Sequence, residues 1–145
     1  MNDITSYMLE QTKKILSIDS PTGFTAHAAE YVLGAYKKLG YDAKLTNKGG
    51  IFVCVNDGPD QADDPADAPI LLEAHMDTLG GMVCSINEKG RLMLSALGGM
   101  NPNNAEAENC RVYTRSGKVY SGTFQLKNAS IHVNGSYNDL SLIHI

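Results

Sequence analysis

The sequence is poor in the features that mark several large classes of protein. Its three cysteines are far apart and without Cys-x-x-Cys spacing, which argues against a disulfide framework or a structural zinc site. The 12 basic residues occur singly or in pairs beside 16 acidic ones, so the basic patch of a nucleic-acid-binding protein is missing. We interpret the cysteines as buried thiols and expect no nucleic-acid partner.

Long apolar runs are also missing. The chain starts Met-Asn-Asp-Ile, without the positive charge and apolar stretch of a secretory signal, and its later apolar runs are too short to cross a membrane. We therefore expect a cytoplasmic protein that does not insert into membranes. With 145 residues and 43% hydrophobic side chains, the chain has the length of about one domain and enough apolar material for a core.

Helical periodicity is confined to the first 40 residues. Apolar residues recur at helical spacing from Ile4 to Ile18, after Asp3 as an N-cap, and again from Thr25 to Leu39. Gly40 is the expected residue after the second helix, where a left-handed backbone conformation is common. Two short strands then follow, at 42–46 and 51–55, and the intervening Asn-Lys-Gly-Gly sequence predicts a turn between them.

An acidic segment separates this hairpin from a short apolar run. Residues 57–68 hold five aspartates and two prolines, which predicts an exposed loop; they lack the glycine and terminal glutamate of an EF-hand loop. Residues 69–74, Pro-Ile-Leu-Leu-Glu-Ala, predict a strand buried on both faces. Beyond residue 79 the pattern is that of β-hairpins, with predicted strands at 81–87 and 91–96, then at 111–114 and 119–126, and at 130–133.

The most informative pair of side chains is His75 and Asp77, directly after the predicted buried strand. Residues two apart on an extended backbone point to the same side, and ligands bind at the carboxyl ends of strands in open α/β sheets. A neutral imidazole is a good zinc or cobalt ligand, and a nearby carboxylate can accept its other N–H. We therefore interpret His75 as a metal ligand and Asp77 as the residue that orients it. The alternative is a structural histidine at a strand end.

Several further motifs occur around this pair. They are Ser20-Pro21-Thr22-Gly23-Phe24, Ala74-His75-Met76-Asp77, Gly80-Gly81-Met82-Val83, Gly90-Arg91-Leu92, Leu97-Gly98-Gly99, Glu108-Asn109-Cys110-Arg111-Val112, Thr114-Arg115-Ser116-Gly117-Lys118 and Ser121-Gly122-Thr123. In this order the sequence resembles the M42 family of metallo-aminopeptidases over nearly all of residues 4–139. One departure is Thr78, where the family often has glutamate, and this weakens any transfer of substrate preference.

The resemblance implies an α/β fold. Residues 1–79 would be the first part of a zinc-peptidase-like α/β/α catalytic domain, and residues 80–139 an incomplete, inserted all-β, barrel-like lid domain. It also implies that His75 is one ligand of a centre of two divalent ions, zinc or cobalt. Asp77 would orient His75, and a glutamate would act as general base. The substrate would be the N-terminus of a peptide, and the full-length enzyme a homo-oligomer, as large as a dodecamer.

The resemblance places the remaining ligands and the glutamate beyond the end of this sequence. We therefore expect the chain to be a truncated, inactive fragment. Residues 140–145, Leu-Ser-Leu-Ile-His-Ile, resemble the translation of a sequencing-library adapter, and we interpret them as read-through.

Two alternatives stay open. One is a self-contained, non-enzymatic binding or assembly module in which the His75–Asp77 pair is structural. The other is a metallopeptidase of the carboxypeptidase-like clan, which matches the region after residue 80 less well.

Overall fold

The computed structural model describes residues 3–55, 70–126 and 143–144. The chain divides into two compact units, Met1–Thr78 and Leu79–Ile145. The predicted acidic loop at 57–68 and the predicted strand at 130–133 lie outside the described residues. The assignment of residues 1–79 and 80–139 to a catalytic and a lid domain stays a prediction.

The first unit contains two helices and one hairpin. Helix α1 spans Asp3–Leu16 and α2 spans Ala26–Lys38, while β1 (Ala43–Leu45) and β2 (Ile51–Val53) pair antiparallel. Both predicted helices and the predicted hairpin are confirmed. The buried side chains are small: Ala28, Ala29 and Ala43 are the core of this unit, together with Ser20. Small residues at these positions let α2 pack closely against the hairpin, which it contacts.

Helix α2 ends just before Gly40, as the sequence predicts. Gly40 has a φ of +89°, its N–H donates to the carbonyl of Lys37, and the Tyr41 N–H donates to the carbonyl of Tyr36. This pair of bonds is the Schellman arrangement, which satisfies carbonyl groups that the last turn of a helix leaves without partners. Lys37 and Lys38 add positive charge at the same end, where the helix dipole is negative.

The strand predicted at 69–74 is not formed in residues 70–74. Their backbone belongs to no sheet of the described structure, and the side chains of Ile70 and Leu72 are 87% and 90% exposed. A doubly buried strand needs neighbouring strands on both sides and a layer on each face. The described part of this unit supplies neither. The expectation of mixed helix and sheet is confirmed, but the described residues of this unit contain no central sheet.

The second unit is built from two antiparallel hairpins. Strands β3 (Gly80–Ile86) and β4 (Leu92–Leu97) form the first, and β5 (Asn109–Tyr113) and β6 (Val119–Thr123) form the second, as predicted. In the turn of the first hairpin the Asn87 side-chain oxygen accepts hydrogen bonds from the N–H groups of Lys89 and Arg91. The side chain thus stabilises the turn, which is a common role of asparagine.

The described part of this unit also contains two short strands and one short helix. Strand β7 (Gln125–Leu126) pairs with β8 (Ile143–His144), which also pairs with β4. A single helical turn, α3 (Pro102–Ala105), departs from the expectation of an all-β segment. It contributes buried Ala105, which packs with Leu94 in a small core bordered by Leu92, Met100 and Phe124.

The expectation of buried thiols is wrong for two of the three cysteines. Cys54 and Cys84 are exposed and Cys110 is half-buried, and none is in a disulfide. Cys54 follows the end of β2, and Cys84 lies where the register of β3 with β4 shifts; the described residues bury neither side chain. Within the described residues, no helix has both the length and the apolar character that a membrane span requires.

Candidate functional site

The segment that carries His75 and Asp77 is held by the loop after α1. The Thr78 N–H donates to the Ser20 carbonyl at 2.8 Å, and the Ser20 hydroxyl donates to the Met76 carbonyl at 2.8 Å. Pro21 and Thr78 form a parallel bridge between the two stretches. Ser20 is only 2% exposed, so its hydrogen bonds are shielded from water. The backbone on both sides of Asp77 is therefore fixed by contacts from Ser20 and Pro21.

His75 and Asp77 are in contact, as the i, i+2 spacing predicts. The His75 Nδ1 atom lies 3.0 Å from the backbone carbonyl oxygen of Asp77 and 3.2 Å from its Oδ1 atom. Both oxygens are acceptors only, so the proton of the neutral imidazole is placed on Nδ1. The Nε2 lone pair then remains on an imidazole that is 86% exposed. This is the protonation state in which histidine binds a metal ion.

The second carboxylate oxygen of Asp77 has a different partner. The Thr22 hydroxyl donates to Oδ2 at 2.7 Å, so the two oxygens of the carboxylate contact two different side chains. The pKa of Asp77 lies below its ordinary value, chiefly because of this bond from Thr22, with smaller contributions from its own backbone amide and from His75. Asp77 is thus kept ionised, and a charged carboxylate is the better acceptor for the imidazole N–H.

The donor set fits one part of a metal centre. An accessible neutral imidazole backed by a carboxylate is the usual arrangement around a zinc ligand. Among the described residues no group of three or more histidine, cysteine, aspartate or glutamate side chains is close enough to hold an ion. Glu73 is exposed, and His27 packs edge-on against Phe24 with ring centroids 5.8 Å apart, so both lie outside the pair.

Sequence reasoning did not assign a role to Ser20 or Thr22. Both belong to the Ser-Pro-Thr-Gly stretch that was interpreted as a turn, which is correct for its backbone. Their partners lie 56 and 55 positions further along the chain. The sequence contains one indication that this stretch and the His-x-Asp stretch act together: both are among the motifs on which the resemblance to the M42 family rests.

A groove of about 410 Å³ lies elsewhere in the first unit, between α1 and α2. Tyr7, Lys14 and Tyr31 are among its lining residues, and the Tyr31 hydroxyl donates to the Gln11 side chain at 2.6 Å beside it. Neither His75 nor Asp77 lines the groove. The candidate site is therefore an exposed pair of side chains and not part of this groove.

The family model described as M42 glutamyl aminopeptidase matches residues 50–141, which is well over half of the chain. The chain belongs to this M42 family. The match contains His75 and Asp77 as well as most of the second unit. It starts after α1, α2 and β1, so the loop that carries Ser20 and Thr22 lies before the matched range.

Two relatives of the M42 chain extend the similarity to its N-terminal part. It is 36% identical over 125 residues to a protein of Bacillus subtilis (strain 168) named "Putative aminopeptidase YhfE", covering 86% of the chain and 34% of that protein. It is 32% identical over 112 residues to the glutamyl aminopeptidase of Lactococcus lactis subsp. cremoris (strain MG1363), covering 77% and 30%. The chain therefore spans about a third of the length of the relatives that it matches.

A solved structure shares the fold of the M42 chain. The aminopeptidase APDkam598 from the archaeon Desulfurococcus kamchatkensis matches with a TM-score of 0.76 and 24% sequence identity. The match covers 96% of this chain and 37% of that protein. The mixed helix and sheet architecture is thus one that an aminopeptidase structure contains.

Proposed function

We propose that this chain is the N-terminal part of a metal-dependent aminopeptidase, which removes the N-terminal residue from peptides. The observation that carries the proposal is the state of His75 in a chain of the M42 family. Its Nδ1 atom is occupied by Asp77 and its Nε2 atom is left for a ligand. A structural histidine would make the same contact with Asp77, and the ligand role is favoured by the combination of an 86% exposed imidazole with membership of the M42 family.

In this proposal His75 would hold one of two divalent ions, zinc or cobalt, and Asp77 would fix the direction of its Nε2 atom. When bound, such ions polarise a carbonyl group and lower the pKa of water, which is what peptide hydrolysis at neutral pH requires. Asp77 would accept a hydrogen bond from the Nδ1–H group, which raises the basicity of the imidazole. The other ligands and the general base would come from chain that follows this sequence in the full-length protein.

The two units would then have different roles. Residues 1–79 would belong to the catalytic domain, and residues 80–139 to an inserted lid that also takes part in assembly of a homo-oligomer. The exposed apolar residues Ile70, Leu71 and Leu72 support this division, since a strand with that composition belongs inside a sheet. The strands that would cover it are not in the described part of this chain.

The first prediction tests the role of His75. In the protein encoded by the complete reading frame that contains this sequence, we expect His75→Ala to lower metal-dependent release of N-terminal residues about 100-fold or more, because a ligand is lost. The measurement is turnover of short peptides after chelation and after return of Zn²⁺ or Co²⁺, with bound metal counted by mass spectrometry. His27→Ala is the matched control, since His27 contacts Phe24 and not the pair.

Wild-type turnover and wild-type metal content in His75→Ala would contradict the proposal. The reading frame gives a second, independent check. Codons after Asp139 for further acidic ligands, a pair of glutamates and a late histidine would support a peptidase. A stop codon directly after Ile145 would favour the non-enzymatic module.

A further inference from the structure

We propose that Thr22 is a positioning residue of the metal site, acting on His75 through the carboxylate of Asp77. The inference rests on the proposed function, because it assigns a task to a residue that has no contact with the metal ligand itself. The observation that supports it is that the two oxygens of the Asp77 carboxylate contact different side chains. The Thr22 hydroxyl donates to Oδ2 at 2.7 Å, and the Nδ1 atom of His75 lies 3.2 Å from Oδ1.

A carboxylate needs a second donor to hold its plane. The terminal torsion of aspartate is broad, so one hydrogen bond to an imidazole leaves the group free to rotate. Thr22 removes that freedom, because its hydroxyl on Oδ2 and the imidazole nitrogen 3.2 Å from Oδ1 together restrict the plane of the carboxylate. The direction of the Asp77 lone pairs toward Nδ1 is then set by the protein and does not depend on a bound ligand.

The Thr22 side chain is itself fixed. Threonine is branched at Cβ and has restricted rotation about its first side-chain torsion. The residues before it are tied to the chain on both sides of Asp77, through the Ser20 bonds to Met76 and Thr78 and through the Pro21–Thr78 bridge. The hydroxyl of Thr22 is therefore delivered to Asp77 by backbone pairing and not by chance contact of two exposed side chains.

A fixed Asp77 carboxylate in turn fixes the direction of the His75 imidazole. The Nδ1 proton is shared between the backbone carbonyl oxygen of Asp77 at 3.0 Å and its carboxylate at 3.2 Å, and a fixed carboxylate lets both oxygens set the plane of the ring. The Nε2 atom then points in one direction before any ion binds, which lowers the entropic cost of binding. A site without Thr22 has the same ligand but holds its direction less firmly, both before and after an ion binds.

The second prediction tests this role in the same full-length protein. Thr22→Val has nearly the shape of threonine but no hydroxyl, and Thr22→Ser keeps the hydroxyl. Thr12→Val is the matched control, since Thr12 is another exposed threonine and its hydroxyl bonds only within α1, to the Met8 carbonyl. The readouts are the Co²⁺ dissociation constant from chelator competition, the visible absorption spectrum of the Co²⁺ form, and kcat and KM for a short peptide.

We expect Thr22→Val to weaken Co²⁺ binding about 10-fold, the lower end of what loss of an orienting partner costs, and to lower kcat at saturating metal with KM little changed. We expect Thr22→Ser to restore both values to within about 2-fold of wild type, and Thr12→Val to leave them there. The Co²⁺ spectrum should change in Thr22→Val alone, because the direction of one ligand has changed.

The outcomes separate the inference from the proposed function. Wild-type Co²⁺ affinity in Thr22→Val, equal losses in Thr22→Val and Thr12→Val, or no recovery in Thr22→Ser would each overturn the role of Thr22. Loss of the fold in Thr22→Val would overturn it as well, since Thr22 would then be needed for stability and not for orientation. If His75→Ala also keeps its metal and its turnover, the proposed function itself is wrong.

Discussion

Two side chains contact the carboxylate of Asp77, and only one of these contacts could be predicted from the sequence. His75 is two positions away, and an extended backbone alone brings it close, so this contact could be predicted. Thr22 is 55 positions away, and its contact depends on how the loop after α1 meets residues 76–78. Local rules give a turn at Thr22. They contain no information on which distant carboxylate the turn will face.

Cysteine burial is a second case at the scale of residues. Composition favours buried thiols in general, but burial of a strand residue depends on whether another layer covers its face. Cys84 lies at an irregular position of β3 that stays exposed, whereas Cys110 on β5 is half-buried. Burial raises the pKa of the Cys110 thiol above its ordinary value, and a backbone hydrogen bond from Gly122 opposes this only in part.

The third prediction follows from this difference. A raised pKa lowers the thiolate fraction at any pH below it, and the thiolate is the nucleophile. We expect iodoacetamide at pH 8 to modify Cys84 several-fold faster than Cys110, measured by mass spectrometry of time points from the folded protein. In denaturant the two rates should converge. Equal rates in the folded protein would mean that Cys110 is not shielded as described.

At the scale of elements, helix α2 shows how far local rules reach. Its start, its end and the left-handed Gly40 after it follow from residues within a few positions, and all were predicted. The run at 69–74 shows where such rules stop. Its apolar composition indicates a buried strand, but a strand exists only when a neighbour supplies the ladder of hydrogen bonds. In the described residues that neighbour is missing, so Ile70 and Leu72 are exposed.

The fourth prediction uses two glycines of this helical region that differ in backbone conformation. A Cβ atom would meet nothing within 4 Å at either Gly34 or Gly40, but Gly40 has a φ of +89°. We expect Gly34→Ala to raise the free energy of unfolding by about 0.5–1 kcal/mol, because alanine loses less entropy in a helix. We expect Gly40→Ala to lower it by about 1–2 kcal/mol, because the left-handed conformation strains a side chain.

Urea unfolding of the protein from the complete reading frame, followed by circular dichroism, measures both changes, and each glycine is the control for the other. Changes of the same sign would show that backbone conformation does not decide the effect.

At the scale of the whole molecule, both units leave apolar side chains exposed. In the first they include Ile4, Met8 and the run at 70–72, and in the second Met82, Val83 and Ile86. Exposed apolar surface of this kind marks an interface or a face that further chain covers. The chain spans about a third of its relatives, and the proposed full-length enzyme contains the chain that would cover these faces.

The fifth prediction concerns the 145-residue chain by itself. One imidazole does not make a catalytic zinc site, which usually has three protein ligands, so we expect no metal-dependent peptide hydrolysis. We also expect strong binding of a hydrophobic dye such as ANS and concentration-dependent association, measured by fluorescence and light scattering. The protein from the complete reading frame should bind much less dye. A monomeric 145-residue chain with a sharp two-state unfolding transition would contradict the proposal that it is a fragment.

The bond between Thr22 and Asp77 closes a loop of the chain, and this links the site to folding. A ligand that binds the oriented imidazole about 10-fold more tightly favours chains in which the loop is closed, so it stabilises that closure by at most about 1.4 kcal/mol. A short peptide with His75 and Asp77 has the same ligand atoms but no closure to stabilise. Local opening of the first unit would thus weaken the binding of an ion without any change in the residue that holds it.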